Sequence, residues 1–363
     1  MLLYDLLRHF PPQSLVAVTG ADTVGRVGDH TLPFDQHPVL IAGNRWLTPR
    51  VERRATGVFV QMVRRRVRSV AKAYGVERIW AHYPNDTFIV GAWLAAKDLG
   101  LPLTVYFDIL WEEGTDRWGL AREHEAEIVA YADQHFAITE AAAEFLSAKH
   151  GADFQLMPHT FEPDALTATA ASGGDGPPYT VHFAGGIYRT MNEDAVQRMA
   201  EVVDGAEGRY RLELYGPLKD SDLERWGVTN RHITTGFVSR DEIGAIQRGS
   251  DILYLPQAFE GAPEEMIRCN FPTKALEYMA AGKPILVHSP AESYLSRAAR
   301  EHGFGVVVDE PSPEALQNAM DRLVTDSDLR AECVTRGHDF LRSRDSRTWS
   351  AIMQDALFTP HAT

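Results

Sequence analysis

Short runs of apolar residues alternate with helical stretches along almost the whole chain, and this rhythm is what most narrows the folds open to it. Leu15-Val-Ala-Val-Thr, Val39-Leu-Ile-Ala, Arg78-Ile-Trp-Ala, Leu103-Thr-Val-Tyr-Phe and His135-Phe-Ala-Ile are runs of the buried-strand kind. Helical patterns at 51–74 and 89–99 lie between them. A strand–helix–strand repeat predicts a parallel, doubly wound sheet covered on both faces. The series then breaks at 167–178, TATAASGGDGPP, whose small, polar and Gly/Pro-rich composition reads as a linker. It resumes with Tyr179-Thr-Val-His-Phe-Ala, Tyr210-Arg-Leu-Glu-Leu-Tyr, His232-Ile-Thr-Thr, Asp251-Ile-Leu-Tyr-Leu, Ile285-Leu-Val-His and Gly305-Val-Val-Val. The expected architecture is therefore α/β, with two Rossmann-like doubly wound domains at 1–166 and 179–345 facing a cleft at their C-terminal strand edges.

The bulk properties agree with a soluble two-domain protein. The 363 residues are 44% hydrophobic and 24% charged, enough for two cores. A net charge of -14 argues against nucleic acid as a partner, which requires a basic surface. Two cysteines, Cys269 and Cys333, make no disulfide framework and suit a reducing cytoplasm. No apolar run approaches the ~20 residues of a membrane-spanning helix, and the start MLLYDLLRHFPPQ does not read as a signal peptide.

The most informative segment is Cys269 to Pro284, CNFPTKALEYMAAGKP. Asn270-Phe-Pro-Thr reads as a helix start, Lys274 to Ala281 as the helix, and Gly282 with Pro284 as its stop. Such an N-terminus favours an anion. Lys274 and Glu277 share a face of the first turn, which suits a ligand carrying phosphate and hydroxyls. Phe271-Pro-Thr-Lys-Ala-Leu-Glu-Tyr-Met-Ala-Ala-Gly-Lys-Pro resembles the donor-site signature of retaining glycosyltransferases of the GT-B fold, of the family 4-like, group 1 kind. The resemblance implies that Glu277 holds the ribose of a nucleotide-sugar, beside Thr273 and Lys274. The first Glu of that family's Glu-x7-Glu pattern falls here at Cys269, a departure softened by members that carry a Pro-x-Lys version like this one, and Glu260, Glu264 or Glu265 could supply a carboxylate to the sugar.

Further residues fall where the resemblance expects them. Gly185 and Gly186 follow the first strand of the second domain, where glycine lets backbone approach a diphosphate. Arg189 is the cation implied for the leaving group, joined by Lys274 in the absence of a metal. Gly216 ends one strand, Val238 is the implied nucleobase contact, and Glu260 with Gly261 is implied beside the transferred sugar. In the first domain, Trp80-Ala-His82-Tyr-Pro matches a His-x-Pro said to touch the sugar or β-phosphate, and Asp108 ends the next strand as an acceptor hydrogen-bonder or base. Each has a plainer alternative as a turn residue. Asp220-Ser-Asp222 and Asp326-Ser-Asp328 read as helix caps rather than metal ligands. The resemblance also implies that 346–363 forms a helix crossing back to the first domain. The family's usual first strand and Gly-rich loop are not found before the opening helical stretch, as though the start were shortened.

The helix at 51–74 is basic and amphipathic, and two readings stand: a solvated face, or a peripheral contact with anionic lipid or acceptor. The expected function is metal-independent transfer, with retention, of a sugar from a nucleotide-diphosphate-sugar to an acceptor hydroxyl. No cofactor is expected beyond this co-substrate, whose base stays open. The acceptor is a carbohydrate, a lipid-linked molecule or a small molecule. Two alternatives remain: a sugar-nucleotide epimerase of the same architecture, and a binding protein that has lost catalysis.

Overall fold

The computed structural model describes residues 2–20, 34–39, 49–83, 86–108, 110, 120–162, 176–216, 220–226 and 232–358. Most of the linker at 167–178 and residues 40–42 of the second expected strand lie outside them. The chain forms two compact units, 1–160 together with 346–363, and 161–345.

In the first unit, β1 (Ala17–Gly20) pairs in parallel with β2 (Gln36–Val39). A four-stranded parallel sheet follows in the order β3 (Ile79–Tyr83), β4 (Leu103–Phe107), β5 (Gln134–Ala137), β6 (Phe154–Leu156). All five residues of β4 are buried, as expected of a strand with both faces covered. The helix Pro49–Tyr74 turns Val60, Val63, Val70 and Ala71 inward. A Cβ on Gly91, in the helix Asp86–Leu99, would lie 2.7 Å from Val63, so these two helices pack at glycine-close distance. Arg64 and Arg68 both pair with Asp98 of that neighbour, at 2.5 and 3.3 Å. Much of the apolar stripe of the basic helix is thus spent on packing within the unit, while Val58 and Tyr74 stay exposed. The helix Ser346–Phe358 also belongs here: Gln354 donates to the His9 carbonyl at 3.2 Å, and the rings of Phe10 and Phe358 meet edge to face.

The second unit holds β7 (Tyr179–Ala184), β8 (Tyr210–Tyr215), β9 (Ile233–Gly236), β10 (Ile252–Pro256), β11 (Ile285–His288) and β12 (Val306–Val308). They form one parallel sheet in the order β12-β11-β10-β7-β8-β9. The order reverses between β7 and β10, and a doubly wound sheet opens its ligand crevice outside the carboxyl ends of the strands at such a reversal.

Candidate functional site

The reversal brings together segments far apart in sequence. The Gly185–Tyr188 turn leaves β7 and the 257–261 loop leaves β10. The loop is tied to the chain just beyond that turn: Ala258 N–H donates to the Met191 carbonyl at 2.7 Å, and Phe259 N–H to Asp194 at 3.0 Å, in the helix Glu193–Gly205. Gly185 has φ +143, a conformation that side chains rarely adopt. Its Cα surface is covered by the Lys274 side chain, so a Cβ there would collide with Lys274 Cε and Nζ. A Cβ on Gly216, at the end of β8, would fall on the Gly185 carbonyl oxygen. Three glycines of the expected site, Gly185, Gly186 and Gly216, therefore gather at one corner with Lys274 aimed at it.

Lys274 is partly buried, and no carboxylate of the described residues lies within ion-pairing distance of it. Burial lowers its affinity for the proton, and the nearby Glu277 charge opposes that shift. Its nearest ring is Phe183, 5.7 Å from Nζ. A desolvated, unpaired ammonium on a glycine turn is a costly arrangement unless an anion completes it. Lys274 and Glu277 do not form a solvated pair; Glu277 is exposed while Lys274 turns inward.

The supporting helix differs in detail from the expected start. Glu264–Cys269 forms a helix of its own, and Asn270 caps its C-terminal end rather than opening the next. The second helix runs Lys274–Ala280 with Thr273 at its N-cap. Pro272 provides the break between them, because its ring cannot donate into a continuing helix. Tyr278 on the buried side accepts a hydrogen bond from Ala184 N–H at 3.2 Å, which ties this helix to the end of β7.

Arg189 is exposed in the turn after Tyr188. Val238 is partly buried, and the backbone beyond it is set by a capping box in which Ser239 and Glu242 bond reciprocally. Glu260 and Gly261 are exposed, Gly261 at φ +75. Glu264 pairs with Arg268 at 2.9 Å, and Cys269 is buried. Asp326 caps the helix Ser327–Ser343 through Leu329 N–H. Among the described residues no group of three or more His, Cys, Asp or Glu gathers in a metal-holding arrangement. Asn192, which the sequence did not mark, clamps the glycine turn: its amide accepts from Tyr188 N–H at 3.0 Å and donates to the Gly186 carbonyl at 3.1 Å.

In the first unit, His82 and Asp108 come together. His82 Nε2 lies 3.4 Å from Asp108 Oδ2, at ion-pairing distance but without a formed hydrogen bond. A third residue, His159, donates from Nε2 to Asp108 Oδ1 at 2.6 Å. Burial pushes the Asp108 carboxyl up, yet the His159 bond and the nearness of His82 outweigh it and hold the group well below the usual carboxylate range. His159 gave no sequence signal, because it follows β6 in a segment without a motif.

Residues 178–326 match the family model described as Glycosyl transferases group 1. Over 170 residues the chain is 28% identical to the 2-deoxystreptamine glucosyltransferase of Streptomyces kanamyceticus, covering 42% of this chain and 41% of that protein. It is 22% identical over 173 residues to an uncharacterized glycosyltransferase of Methanocaldococcus jannaschii, covering 47% and 41%. The chain thus spans about two fifths of the length of the curated relatives it matches. In structure it is similar to Anabaena HepE in complex with UDP and glucose, with TM-score 0.71 at 14% identity over 99% of this chain and 95% of that one. Sucrose-phosphate synthase of Thermosynechococcus elongatus gives TM-score 0.67 at 14% identity over 91% and 84%. The fold is α/β with parallel sheets, of the GT-B kind.

Proposed function

We propose that the chain is a glycosyltransferase that moves a sugar from a nucleotide-diphosphate-sugar to an acceptor hydroxyl. The observation that carries this reading is Lys274, an unpaired and largely desolvated ammonium laid on the Gly185 turn where the strand order reverses. A diphosphate at that corner would meet Lys274, the turn backbone and the exposed Arg189, and these would offset the charge that grows as the nucleotide departs. Glu277, three residues on, would receive ribose hydroxyls. Val238 would border the base, and Glu260 with Gly261 the sugar. His82 would touch the sugar or its β-phosphate, and Asp108 would act through it. The acceptor class stays as broad as the sequence left it. Contact with an anionic membrane would be chiefly electrostatic, through exposed Arg65 and Lys72, since much of the apolar stripe of that helix is packed.

Retention and metal independence belong to the same proposal. The departing phosphate can take the acceptor proton on the face it leaves, so no strong base is needed opposite. The test begins with thermal shifts in UDP, GDP, dTDP and ADP, one of which is expected to stabilise the chain. Transfer from the matching sugar nucleotide is then followed with and without EDTA, and the anomer is assigned by NMR. Unchanged activity in EDTA and a retained anomer are expected. An inverted product or a magnesium requirement would overturn the mechanism, and no response to any nucleotide would overturn the donor.

A further inference from the structure

We infer that His159 is a positioning residue, which holds Asp108 so that Asp108 in turn orients His82; the inference rests on the transferase reading above. The three groups come from separate strand ends of the first unit. His82 lies on β3, Asp108 directly follows β4, and His159 lies two residues beyond Met157, whose N–H bonds to the Ala137 carbonyl at 2.8 Å. Such a placement fixes the His159 backbone as an extension of the β6 ladder. Its side chain is 6% exposed, with Nε2 on Asp108 and Nδ1 buried without a partner. Packing alone would favour an apolar ring at this place, since a buried imidazole with one nitrogen unsatisfied is unfavourable. The arrangement is explained by the single bond the ring does make.

That bond determines what Asp108 can do. One carboxylate oxygen is occupied by His159, so the carboxyl plane is set and the second oxygen faces His82 Nε2. The His82 ring is fixed in a second direction by stacking on Tyr106, at 5.4 Å between centroids and 29° between planes. Its other nitrogen, Nδ1, makes no hydrogen bond among the described residues and is the atom left to meet a sugar hydroxyl or a phosphate oxygen. Tyr106 and Asp108 together thus hold an imidazole that is one-third exposed, at 34% of its side-chain surface. Asp108, engaged from both sides, is not a free base for the acceptor. Its role passes through His82, and His159 is the anchor at the far end.

The experiment compares wild type with His159→Phe, which keeps a ring but no donor, and His159→Gln, whose amide can reach Asp108 as Nε2 does. Release of nucleoside diphosphate is measured with UDP-glucose, GDP-mannose, dTDP-glucose and ADP-glucose. His159→Phe is expected to lower kcat about tenfold with KM for the donor within about twofold, and His159→Gln to restore most of it. The double variant His82→Ala/His159→Phe should be no slower than His82→Ala alone, because residues acting as a unit are not additive. Wild-type turnover in His159→Phe, or additive losses in the double variant, would overturn the inference. Imidazole NMR of the ligand-free protein gives a readout independent of turnover. The proton of His159 is expected on Nε2, and the His82 resonances should shift in Asp108→Asn. A proton on Nδ1 of His159, or unmoved His82 resonances, would overturn the inference even if the chain transfers no sugar. Failure with all four donors, with the NMR result intact, would instead count against the transferase reading.

Discussion

Lys274 illustrates how a residue can weaken the empty protein in order to bind. Its ammonium is partly buried, has no ion pair among the described residues, and gives up its proton more readily than a solvated lysine because burial disfavours the charge. Replacement by methionine keeps the stem and removes the charge. Lys274→Met is therefore expected to raise the melting temperature of the ligand-free chain by about 2–4 °C, roughly 1 kcal/mol in a domain of this size. The same change should weaken nucleoside diphosphate binding at least tenfold, in line with the ~1.5–3 kcal/mol of a charge-assisted hydrogen bond. Calorimetry of the two forms with and without nucleotide measures both effects. A lower melting temperature would mean that Lys274 is structural.

The turn between β7 and the helix Glu193–Gly205 shows how whole elements are brought to the corner that one lysine occupies. Gly185 N–H donates to the Tyr215 carbonyl at 2.7 Å, and Gly216 N–H to the Gly236 carbonyl at 2.9 Å, so the ends of three strands are laced in sequence. The lacing is tight at one place only. A Cβ on Gly216 would strike the Gly185 carbonyl, whereas one on Gly236 would meet the Tyr215 ring at an ordinary 3.5 Å. Gly216→Ala is expected to cost about 1–3 kcal/mol by overpacking, and Gly236→Ala to remain within ~0.5 kcal/mol of wild type. Denaturant unfolding of the two variants checks the contrast. Equal effects would show that the Gly216–Gly185 approach is not a constraint on the fold.

Across the whole molecule, acid should act on the first unit through Asp108, whose two imidazole neighbours connect three strand ends. Its folded-state pKa lies below the ordinary 3.8. The unfolded chain therefore takes up this proton first, and the carboxylate contributes stability that is fully present above about pH 4 and lost as pH falls through the folded value. Wild type should be more stable than Asp108→Asn at neutral pH, with the gap closing below about pH 4. Thermal melts between pH 3 and 7 test it; a gap that is constant with pH would contradict the assignment. At neutral pH most of the net charge of -14 falls on the second unit, so an anionic donor is drawn in by the local cations of its corner and not by the overall field.

The alternation of buried runs and helices was enough to define an α/β chain with parallel sheets, because a strand with both faces covered needs an unbroken apolar run and a parallel neighbour needs a crossover. Local chemistry also marked Gly185, Gly186, Lys274 and Glu277, since a glycine turn and a Pro-broken helix leave short-range signals. Sequence could not show that Lys274 turns inward while Glu277 stays exposed, because both lie on one helical face and only packing against Gly185 separates them. Nor could it reveal Asn192, Tyr278 or His159, whose partners lie at the ends of other strands. The strand order, which depends on how crossovers close and not on any one residue, placed the reversal beside Gly185 and gathered His82, Asp108 and His159 from three separate strand ends.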